Sequence, residues 1–349
     1  METITSPEEV TPRWLGARAG DTLGTISRVS VSASFETPPS TLHRLAVDAV
    51  LDGRSITHRL ILKLPRRYEG DNALTESRFN MAENEVTVYN AAFVGHEDLP
   101  IPRCFAAAAD RPTQTSCLLL RDHKDTHNYV PELSLRQAQA TVTAIARVHA
   151  AWWQDTRLGT TIGKDPLGEL DFSYGSERRR KIRRRRLAEL QQALPSLMGQ
   201  SLLEHFERLI DRAPGLFLRR LQTGPLTLCH TDFHTGNCLM PTHPELHGVL
   251  LIDWGTAKPW WGALDLCWLV VYGLDAARRH EVELDLIKLY LTALEQHGVR
   301  GYQLGSLLDD YRLAILQSMY RALEIPRHDI LTQVVAAFEQ HRCADLLAE

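Results

Sequence analysis

The stretch LCHTDFHTGNCLM, residues 228–240, places four polar side chains within eight positions, between segments that are apolar on both sides. These side chains belong to His230, Asp232, His234 and Asn237. Three kinds of site could use such a set: a metal centre, a polar cluster inside a core, or a loop that carries out phosphoryl transfer.

The first two hypotheses fit the pattern poorly. Imidazole and carboxylate groups both bind zinc or iron, but spacings such as H-E-x-x-H place their ligands on one face of a helix. This stretch contains a glycine and several residues that favour loops, so a helical arrangement is disfavoured. A structural cluster is typical of one hydrogen-bonded histidine and not of four polar residues between apolar segments.

The third hypothesis matches the spacing. The catalytic loop of kinases has the form H-x-D-x-x-x-x-N, and His230, Asp232 and Asn237 fit all three positions. In that loop the aspartate accepts the proton of the attacking hydroxyl and the asparagine holds a magnesium ion. The pattern therefore predicts Asp232 as the catalytic residue and Asn237 as a metal ligand.

A second magnesium ligand is expected downstream, as an aspartate that precedes an aromatic residue and a glycine at the end of an apolar strand. The segment VLLIDWGT, residues 249–256, supplies Asp253 followed by Trp254 and Gly255. Two matches in the expected order favour phosphoryl transfer well beyond either match alone.

The same interpretation requires a lysine at the end of a strand and a helical glutamate that pairs with it. Lys63 meets the first requirement in LILKLP, residues 60–65. Glu83 and Glu85 both lie in a segment with helical periodicity, about equally far from its apolar stripe. Periodicity alone leaves the choice between them open.

The pattern of the whole chain predicts an α+β fold. Three apolar segments separated by turn residues indicate an antiparallel meander, a helix follows at 75–93, and two more strands are expected at 99–110 and 115–122. From about Ser134 onward the periodicity is helical, with extended segments only around 226–229 and 248–254. The change from strands to helices falls near Leu120–Asp125.

Composition and charge exclude several classes of protein. The chain has 349 residues, 44% of them hydrophobic, which is typical of a globular protein with room for two packed units. It shows neither the basic and apolar pattern of a secretory signal nor an apolar run of roughly 18 residues that could span a membrane. Six irregularly spaced cysteines favour reduced thiols. We therefore expect a cytoplasmic protein without a membrane partner.

The charge is unevenly distributed. The net charge is −4, although the run ERRRKIRRRR, residues 177–186, contains eight basic residues. A nucleic-acid surface would be expected to interleave aromatic residues with the basic ones, and this run has none. The run is therefore interpreted as a solvated helix face, with an anionic acceptor as the alternative and no nucleic-acid partner.

The motifs together resemble the aminoglycoside phosphotransferase and choline kinase-like group, and within it most closely the ecdysteroid kinase-like proteins. The segments that carry the likeness extend from about residue 25 to 275 and are LILKLP, ENEVTVYN, DLPIPRCF, CLLLRD, VHAAWW, CHTDFHTGN and LLIDWGTAKPWWGALDL. The resemblance implies a two-lobed protein-kinase-like fold. It implies an antiparallel-sheet N-lobe at 1–121, which binds the nucleotide, and a mainly helical C-lobe at 122–349, which holds the catalytic loop and acceptor site.

The resemblance also implies roles for individual residues. The family pattern E-x-x-x-Y, here Glu85 with Tyr89, selects Glu85 as the partner of Lys63. Asp265 is expected to hydrogen-bond the catalytic loop, and His230 to brace that loop against the segment of Asp253. The supporting role of His234 is less sharply defined. The backbone of Leu120–Asp122 is expected to contact the adenine.

Two assignments depend on less specific features. The expected phosphate-binding turn, residues 32–41, contains no glycine, so phosphate contact would fall to backbone N–H groups and hydroxyls such as Ser34 and Ser40. Trp260 and Trp261 follow Asp253 closely enough to contact the acceptor, and an aromatic pair can hold a cationic or ring-shaped ligand. Packing against the C-lobe is the alternative for both tryptophans.

The sequence thus predicts a magnesium-dependent phosphotransferase. It would transfer the γ-phosphoryl group of ATP, or of another nucleoside triphosphate, to a hydroxyl of a small molecule such as an antibiotic, sugar, nucleoside, sterol or amino alcohol. A protein substrate is disfavoured because no Ala-Pro-Glu segment follows Asp253. The alternative is a nucleotide-binding pseudokinase or scaffold without turnover, although such proteins usually lack one of the ionic residues that are present here.

Overall fold

The structure, a computed structural model, describes residues 3–68, 70–324 and 327–348. Its contacts divide the chain into two compact units. The first comprises the described residues up to Asn128 together with Leu239–Ala257, and the second comprises Tyr129–Cys238 together with the described residues from Lys258 onward. The predicted functional boundary between residues 121 and 122 stays a prediction.

The first unit is built on a five-stranded antiparallel sheet with the strand order β1-β2-β3-β5-β4. Its strands are β1 (Thr25–Glu36), β2 (Ser40–Leu51), β3 (Arg54–Pro65), β4 (Cys104–Asp110) and β5 (Thr115–Arg121). Shorter strands form two further sheets, β6-β8-β9 and β7-β10, and are β6 (His127–Asn128), β7 (Thr227–Cys229), β8 (Cys238–Pro241), β9 (Leu250–Leu251) and β10 (Lys258–Trp260).

Helices dominate the rest of the chain. They are α1 (Pro12–Leu23), α2 (Asn72–Val88), α3 (Leu135–Ala151), α4 (Pro166–Leu170), α5 (Glu177–Ala193), α6 (Gln200–Thr223), α7 (Ala263–Gly273), α8 (Ala276–Gln296), α9 (Leu304–Glu324) and α10 (His328–Gln340). In the described part of the chain, no helix is long and apolar enough to cross a membrane. The predicted α+β class, with an antiparallel sheet first and helices after it, is confirmed.

Alternation along β3 determines which way its lysine points. Leu60, Leu62 and Leu64 are buried on one face, in a core that α1 covers. Because successive side chains of a strand point to opposite faces, Lys63 lies on the other face, where α2 packs. The strand thereby directs a charged side chain toward a helix and away from the apolar core.

Helix α1 was not predicted from the sequence. Its start is marked by Thr11, whose side chain accepts a hydrogen bond from the backbone N–H of Trp14, and by proline at the first helical position. Its end is marked by Gly24 at φ +83°, where a Cβ atom would lie 2.4 Å from the carbonyl oxygen of Val50. Glycine is therefore required where α1 turns into the sheet.

The predicted extended segments are located correctly but incompletely. The structure contains β7 and β9 within the predicted ranges 226–229 and 248–254. It also contains β8 and β10, which the helical interpretation of the region after Ser134 overlooked. Both are only three or four residues long, too short for an alternating pattern to be distinguished from a loop.

Candidate active site

Three charged side chains from distant parts of the sequence meet in the first unit. The Nζ atom of Lys63 lies 2.7 Å from Oε2 of Glu85 and 2.6 Å from Oδ1 of Asp253. Lys63 and Glu85 are mostly buried, whereas the Asp253 side chain is 37% exposed. Asp253 can therefore accept a further ligand while one of its oxygens contacts the lysine.

Helix α2 determines which glutamate reaches the lysine. The helix is capped by Asp71, which accepts a hydrogen bond from the N–H of Leu74, and it buries Phe79 beneath it. Glu85 lies on the buried side, 3% exposed, while Glu83 points outward and forms an ion pair with Arg111. The structure thus brings Glu85, and not Glu83, to Lys63.

The two carboxylates keep Lys63 charged. Burial by itself disfavours the ammonium form and lowers the pKa of a lysine. Here the negative charges of Glu85 and Asp253 outweigh burial and raise the pKa of Lys63 above its usual value. Lys63 is therefore a fixed positive charge at physiological pH.

The segment that carries Asp253 is held by α2. Asp253 itself has a left-handed backbone, at φ 66° and ψ 62°, which is uncommon for residues other than glycine. The side-chain amide of Asn84 donates hydrogen bonds to the carbonyl oxygens of Gly255 (3.1 Å) and Ala257 (2.9 Å). Trp254 packs edge-on against Phe93, with 4.8 Å between ring centroids. These contacts stabilise the strained turn at Asp253.

In the second unit, Asp265 fixes the start of the predicted catalytic loop. Its carboxylate accepts the backbone N–H of His230 at 2.6 Å and that of Thr231 at 2.9 Å. Thr231 has a left-handed backbone at φ 57°, so these two bonds hold a strained conformation in place. The ring of His149 supports Asp265 from behind at 3.1 Å and contacts the hydroxyl of Tyr290 at 2.8 Å.

The same region contains the one group of potential metal ligands found among the described residues, His149, Cys229 and Asp265. Both ring nitrogens of His149 and both carboxylate oxygens of Asp265 already have hydrogen-bond partners. Burial raises the pKa of the Cys229 thiol well above its usual value and so disfavours the thiolate that a metal would need. The group is a structural support for the loop.

Asp232 is half-buried and has two basic neighbours. Its Oδ1 atom lies 2.8 Å from Nη2 of Arg321, and its Oδ2 atom lies 3.6 Å from Nε2 of His234. Burial tends to raise the pKa of this carboxyl, but His234 and the charge of Arg321 outweigh burial and lower the pKa to about 2. Asp232 is therefore ionised at neutral pH, as a group that takes up a proton must be.

Asn237 is placed by the same loop. Its side-chain nitrogen Nδ2 donates a hydrogen bond to the backbone carbonyl of Asp232 at 2.9 Å. This bond uses the amide nitrogen and leaves the side-chain oxygen for a cation. The amide oxygen of Asn237 and the carboxylate of Asp253 are each the kind of oxygen donor that magnesium prefers.

His230 is fully buried and packs near the ring of Phe233. His234 caps the short turn that leads to Asn237, because its Nδ1 atom accepts the N–H of Gly236 at 3.1 Å. His234 therefore stabilises the turn within the loop. The predicted bracing of His230 against the segment of Asp253 stays a prediction.

The predicted nucleotide contacts have local partners in the first unit. The hydroxyl of Ser34 lies 2.8 Å from Nδ1 of His43, and Ser40 is buried at the start of β2. Leu120 is buried in β5, and Asp122 forms an ion pair with Arg44 at 3.1 Å. Their contacts with phosphate or adenine stay predictions.

The two tryptophans that were candidates for the acceptor site are fully buried. Trp260 and Trp261 stack on each other with 4.9 Å between ring centroids, and Nε1 of Trp260 donates to the side chain of Gln317 at 2.9 Å. This arrangement favours the packing interpretation, because neither ring presents a surface to a ligand. Their predicted contact with an acceptor receives no support from it.

The basic run forms the first ten residues of α5 and is only partly a solvated face. Arg184 pairs with Glu207 and Asp211, as expected for a surface helix. Arg183 differs, since its side chain is 7% exposed and its guanidinium group contacts the rings of both Tyr174 and Tyr320. The interpretation of the run as uniformly solvated was therefore wrong at Arg183, because the helix turns this residue toward aromatic neighbours.

Arg321 and His149 are the residues around the loop that sequence reasoning missed. His149 lies in the segment VHAAWW, which contributed to the family resemblance, so its position was noted but its contact was not predicted. Arg321 lies in α9 within no motif and reaches Asp232 across 89 positions of sequence. No local pattern predicts a contact of that range.

The family of the chain follows from comparison with known proteins. A model of the ecdysteroid kinase-like family matches residues 36–300, which is most of the chain. The match includes Lys63, Glu85, Asp232, Asp253 and Asp265 but not Arg321. The chain belongs to the ecdysteroid kinase-like family, as the motifs predicted. No curated protein matches the sequence at a significant level.

Solved structures similar to this chain are distant in sequence. An ethanolamine kinase from Plasmodium vivax is 12% identical with a TM-score of 0.47, covering 90% of this chain and 84% of its own. The choline kinase LicA from Streptococcus pneumoniae is 13% identical with a TM-score of 0.48, and the match covers 96% of this chain and 98% of that protein. A spectinomycin phosphotransferase, solved with ADP and spectinomycin, is 13% identical with a TM-score of 0.43, and the match covers 97% of this chain and 95% of that protein. Likeness at this level transfers neither a substrate nor a residue role.

Proposed function

We propose that this protein is a kinase that transfers the γ-phosphoryl group of ATP to a hydroxyl group of a small molecule. The observation that carries the proposal is the contact of Lys63 with both Glu85 and Asp253. A strand lysine paired with a helical glutamate, next to a metal-binding aspartate, is the arrangement that phosphoryl transfer in the kinase fold requires. Membership in a kinase-like family supports the same conclusion.

On the nucleotide side, Lys63 binds the α- and β-phosphates and Glu85 keeps its ammonium group in place. The hydroxyls of Ser34 and Ser40 and nearby backbone N–H groups contact the phosphates, and the backbone of Leu120–Asp122 contacts the adenine. Residues 1–121 then act as the nucleotide-binding lobe and residues 122–349 as the lobe that holds the acceptor.

On the acceptor side, Asp232 accepts a hydrogen bond from the attacking hydroxyl, orients its oxygen toward the γ-phosphorus and takes up its proton. The new oxygen–phosphorus bond forms as the bond from the γ-phosphorus to the leaving ADP breaks. Asp265, His230 and His234 hold the loop in the shape that this step needs. Asn237 and Asp253 would hold magnesium, which would neutralise charge on the phosphate oxygens.

The test is a phosphate-transfer assay with a panel of candidate acceptors. Purified protein is incubated with magnesium, ATP and antibiotics, sugars, nucleosides, sterols or amino alcohols, and each acceptor is examined by mass spectrometry for the gain of one phosphoryl group. We expect at least one acceptor to be phosphorylated by the wild type and not by the Asp232→Asn variant. Magnesium-dependent binding of ATP without transfer to any acceptor or to water would instead support a pseudokinase or scaffold.

A further inference from the structure

The contact between Asp232 and Arg321 joins the catalytic loop to α9. The Nη2 atom of Arg321 lies 2.8 Å from Oδ1 of Asp232, and each side chain is about two-thirds buried. A charge-assisted hydrogen bond of this length and partial burial is stronger than an exposed surface pair. Arg321 therefore restricts the carboxylate that the proposed reaction uses.

Arg321 is itself held in place by an aromatic ring. The centre of its guanidinium group lies 4.3 Å from the ring centroid of Trp268 on α7. Helices α7 and α9 are joined there by the hydroxyl of Tyr272, which donates to the carbonyl oxygen of Ser318 at 3.3 Å. A planar guanidinium stacked on a ring loses little further freedom when it binds a carboxylate. The arginine is thus set in position before any ligand binds.

His234, the second neighbour of Asp232, restricts the orientation of the Asp232 carboxylate less than Arg321 does. The Nε2 atom of His234 lies 3.6 Å from Oδ2 of Asp232, which is longer than a hydrogen bond. The terminal torsion of an aspartate is broad, so a carboxylate with no short partner samples many orientations. Arg321 supplies the short contact at Oδ1 and leaves Oδ2 for a hydroxyl.

From this geometry we infer that Arg321 is a positioning residue, which holds Asp232 by one oxygen so that the other oxygen faces the attacking hydroxyl. The inference rests on the proposed function, since it assigns Asp232 to the reacting hydroxyl. Arg321 acts through Asp232 and touches neither reactant. Its loss therefore lowers the turnover number and leaves the Michaelis constants almost unchanged.

The test compares four proteins: the wild type, Arg321→Met, Arg321→Lys and the control Arg157→Met. The control removes a similar arrangement away from the catalytic loop, because Arg157 contacts Asp155 at 2.8 Å and lies 4.9 Å from the ring centroid of Trp152. Turnover is measured as magnesium-dependent ATP hydrolysis, with water in place of the acceptor, and also with any acceptor that the panel identifies. Thermal unfolding is recorded for each protein.

We expect Arg321→Met to lower the turnover number by about 10–100-fold, the size of effect that misplacing a reacting group produces, with Michaelis constants within about threefold of the wild type. Arg321→Lys should recover part of the loss, because lysine keeps the charge without the planar fork. Arg157→Met should match the wild type. An unchanged turnover number in Arg321→Met, or a rise in a Michaelis constant with normal turnover, would overturn the inference.

A second measurement separates this inference from the proposed function. Crystal structures of the wild type and of Arg321→Met show the orientation of the Asp232 carboxylate directly. A single orientation in the wild type that becomes altered or mixed in the variant supports the positioning role, and the same orientation in both contradicts it. If the wild type transfers phosphate neither to an acceptor nor to water, the proposed function is wrong. The two crystal structures still decide, in that case, whether Arg321 orients Asp232.

Discussion

The buried ammonium group of Lys63 is compensated by two carboxylates, those of Glu85 and Asp253. Removing one partner of a buried ion pair is costly, because the remaining charge loses its compensation without regaining water. The contact with Asp253 remains when Glu85 is changed, so the lysine is not left without a neighbour. A change at Glu85 should therefore affect the position of the ammonium group more than the folding of the unit.

The first prediction concerns the two glutamates of α2. Glu85→Gln removes the charge that holds Lys63 and should weaken magnesium-dependent binding of ATP by about tenfold, or about 1.4 kcal/mol. Glu83→Gln, two positions away on the same helix, changes only the surface pair with Arg111 and should leave binding within about twofold. Isothermal titration calorimetry measures both. Equal affinities in the two variants would contradict the assignment of Glu85.

At the scale of elements, helix α5 carries many charged residues, and one of them packs against neighbouring helices instead of facing solvent. Arg183 lies 4.8 Å from the ring centroid of Tyr174 and 4.5 Å from that of Tyr320, and its Nη2 atom lies 3.9 Å from Glu324. A desolvated cation–π contact contributes about 2 kcal/mol, more than an exposed ion pair does. One arginine of the run thus attaches the helix to its neighbours.

The second prediction compares two arginines of that run. Arg183→Met should lower the free energy of unfolding by about 1–3 kcal/mol, because it removes the cation that contacts both rings. Arg185→Met removes an exposed side chain paired with Glu189 at 3.5 Å and should change stability by less than about 0.5 kcal/mol. Urea unfolding measures both variants, and equal losses would show that burial of Arg183 contributes nothing.

The third prediction concerns Glu283, a residue of α8 whose side chain links that helix to α9 and α10. Its carboxylate accepts hydrogen bonds from Tyr311 at 2.7 Å and Gln340 at 2.8 Å, and lies 3.0 Å from the ring of His341. Burial tends to raise the pKa of Glu283, but His341 and the other donors outweigh it and lower that pKa. Because the folded pKa is below the unfolded value of about 4.5, the stabilisation is complete above that pH and is lost as the pH falls through the folded pKa.

Glu283→Gln tests this directly. At about pH 6 the variant should be less stable than the wild type by about 1–3 kcal/mol, and the difference should shrink as the pH falls below about 4.5. Urea unfolding at a series of pH values gives the difference. A gap that stays constant from about pH 6 to about pH 3 would contradict the lowered pKa of Glu283.

The elements differ in how well the sequence predicted them. The long strands of the first sheet and helix α2 carry repeated apolar residues at a clear period, so they were predicted within a few positions. Helix α1 starts with a polar cap and has only a short apolar stripe, and it was not recognised. The two- to four-residue strands are formed by pairing with distant segments, which leaves no periodic signal in the local sequence.

At the scale of the whole molecule, the chain passes between its two units three times, since Leu239–Ala257 returns to the first unit before the last helices continue the second. Asp232 and Asp253 therefore belong to different units although they are close in sequence. The proposed reaction requires both aspartates, one for the acceptor and one for the metal. Phosphoryl transfer would then depend on both units.

The candidate site was predictable where a motif fixes residue types at fixed spacings. Asp232, Asn237 and Asp253 became candidates in this way, and the family pattern selected Glu85 as the partner of Lys63. Arg321 could not be identified, because its contact with Asp232 arises from packing of α7 and α9 and leaves no pattern near either residue. The opposite holds for Trp260 and Trp261. Their position in the sequence suggested contact with a ligand, whereas their burial favours a role in packing.

In the proposed reaction, Asp253 binds the magnesium ion that accompanies the nucleotide, and Asp232 accepts the proton of the reacting hydroxyl. The most direct measurement compares magnesium-dependent ATP binding and phosphoryl transfer, to an acceptor or to water, in the wild type, Asp232→Asn and Asp253→Ala. We predict that Asp232→Asn binds ATP normally and loses about 10²–10⁴-fold in transfer, while Asp253→Ala loses both the magnesium-dependent binding and the transfer. Transfer by Asp232→Asn at the wild-type rate, or unchanged magnesium dependence in Asp253→Ala, would contradict the account.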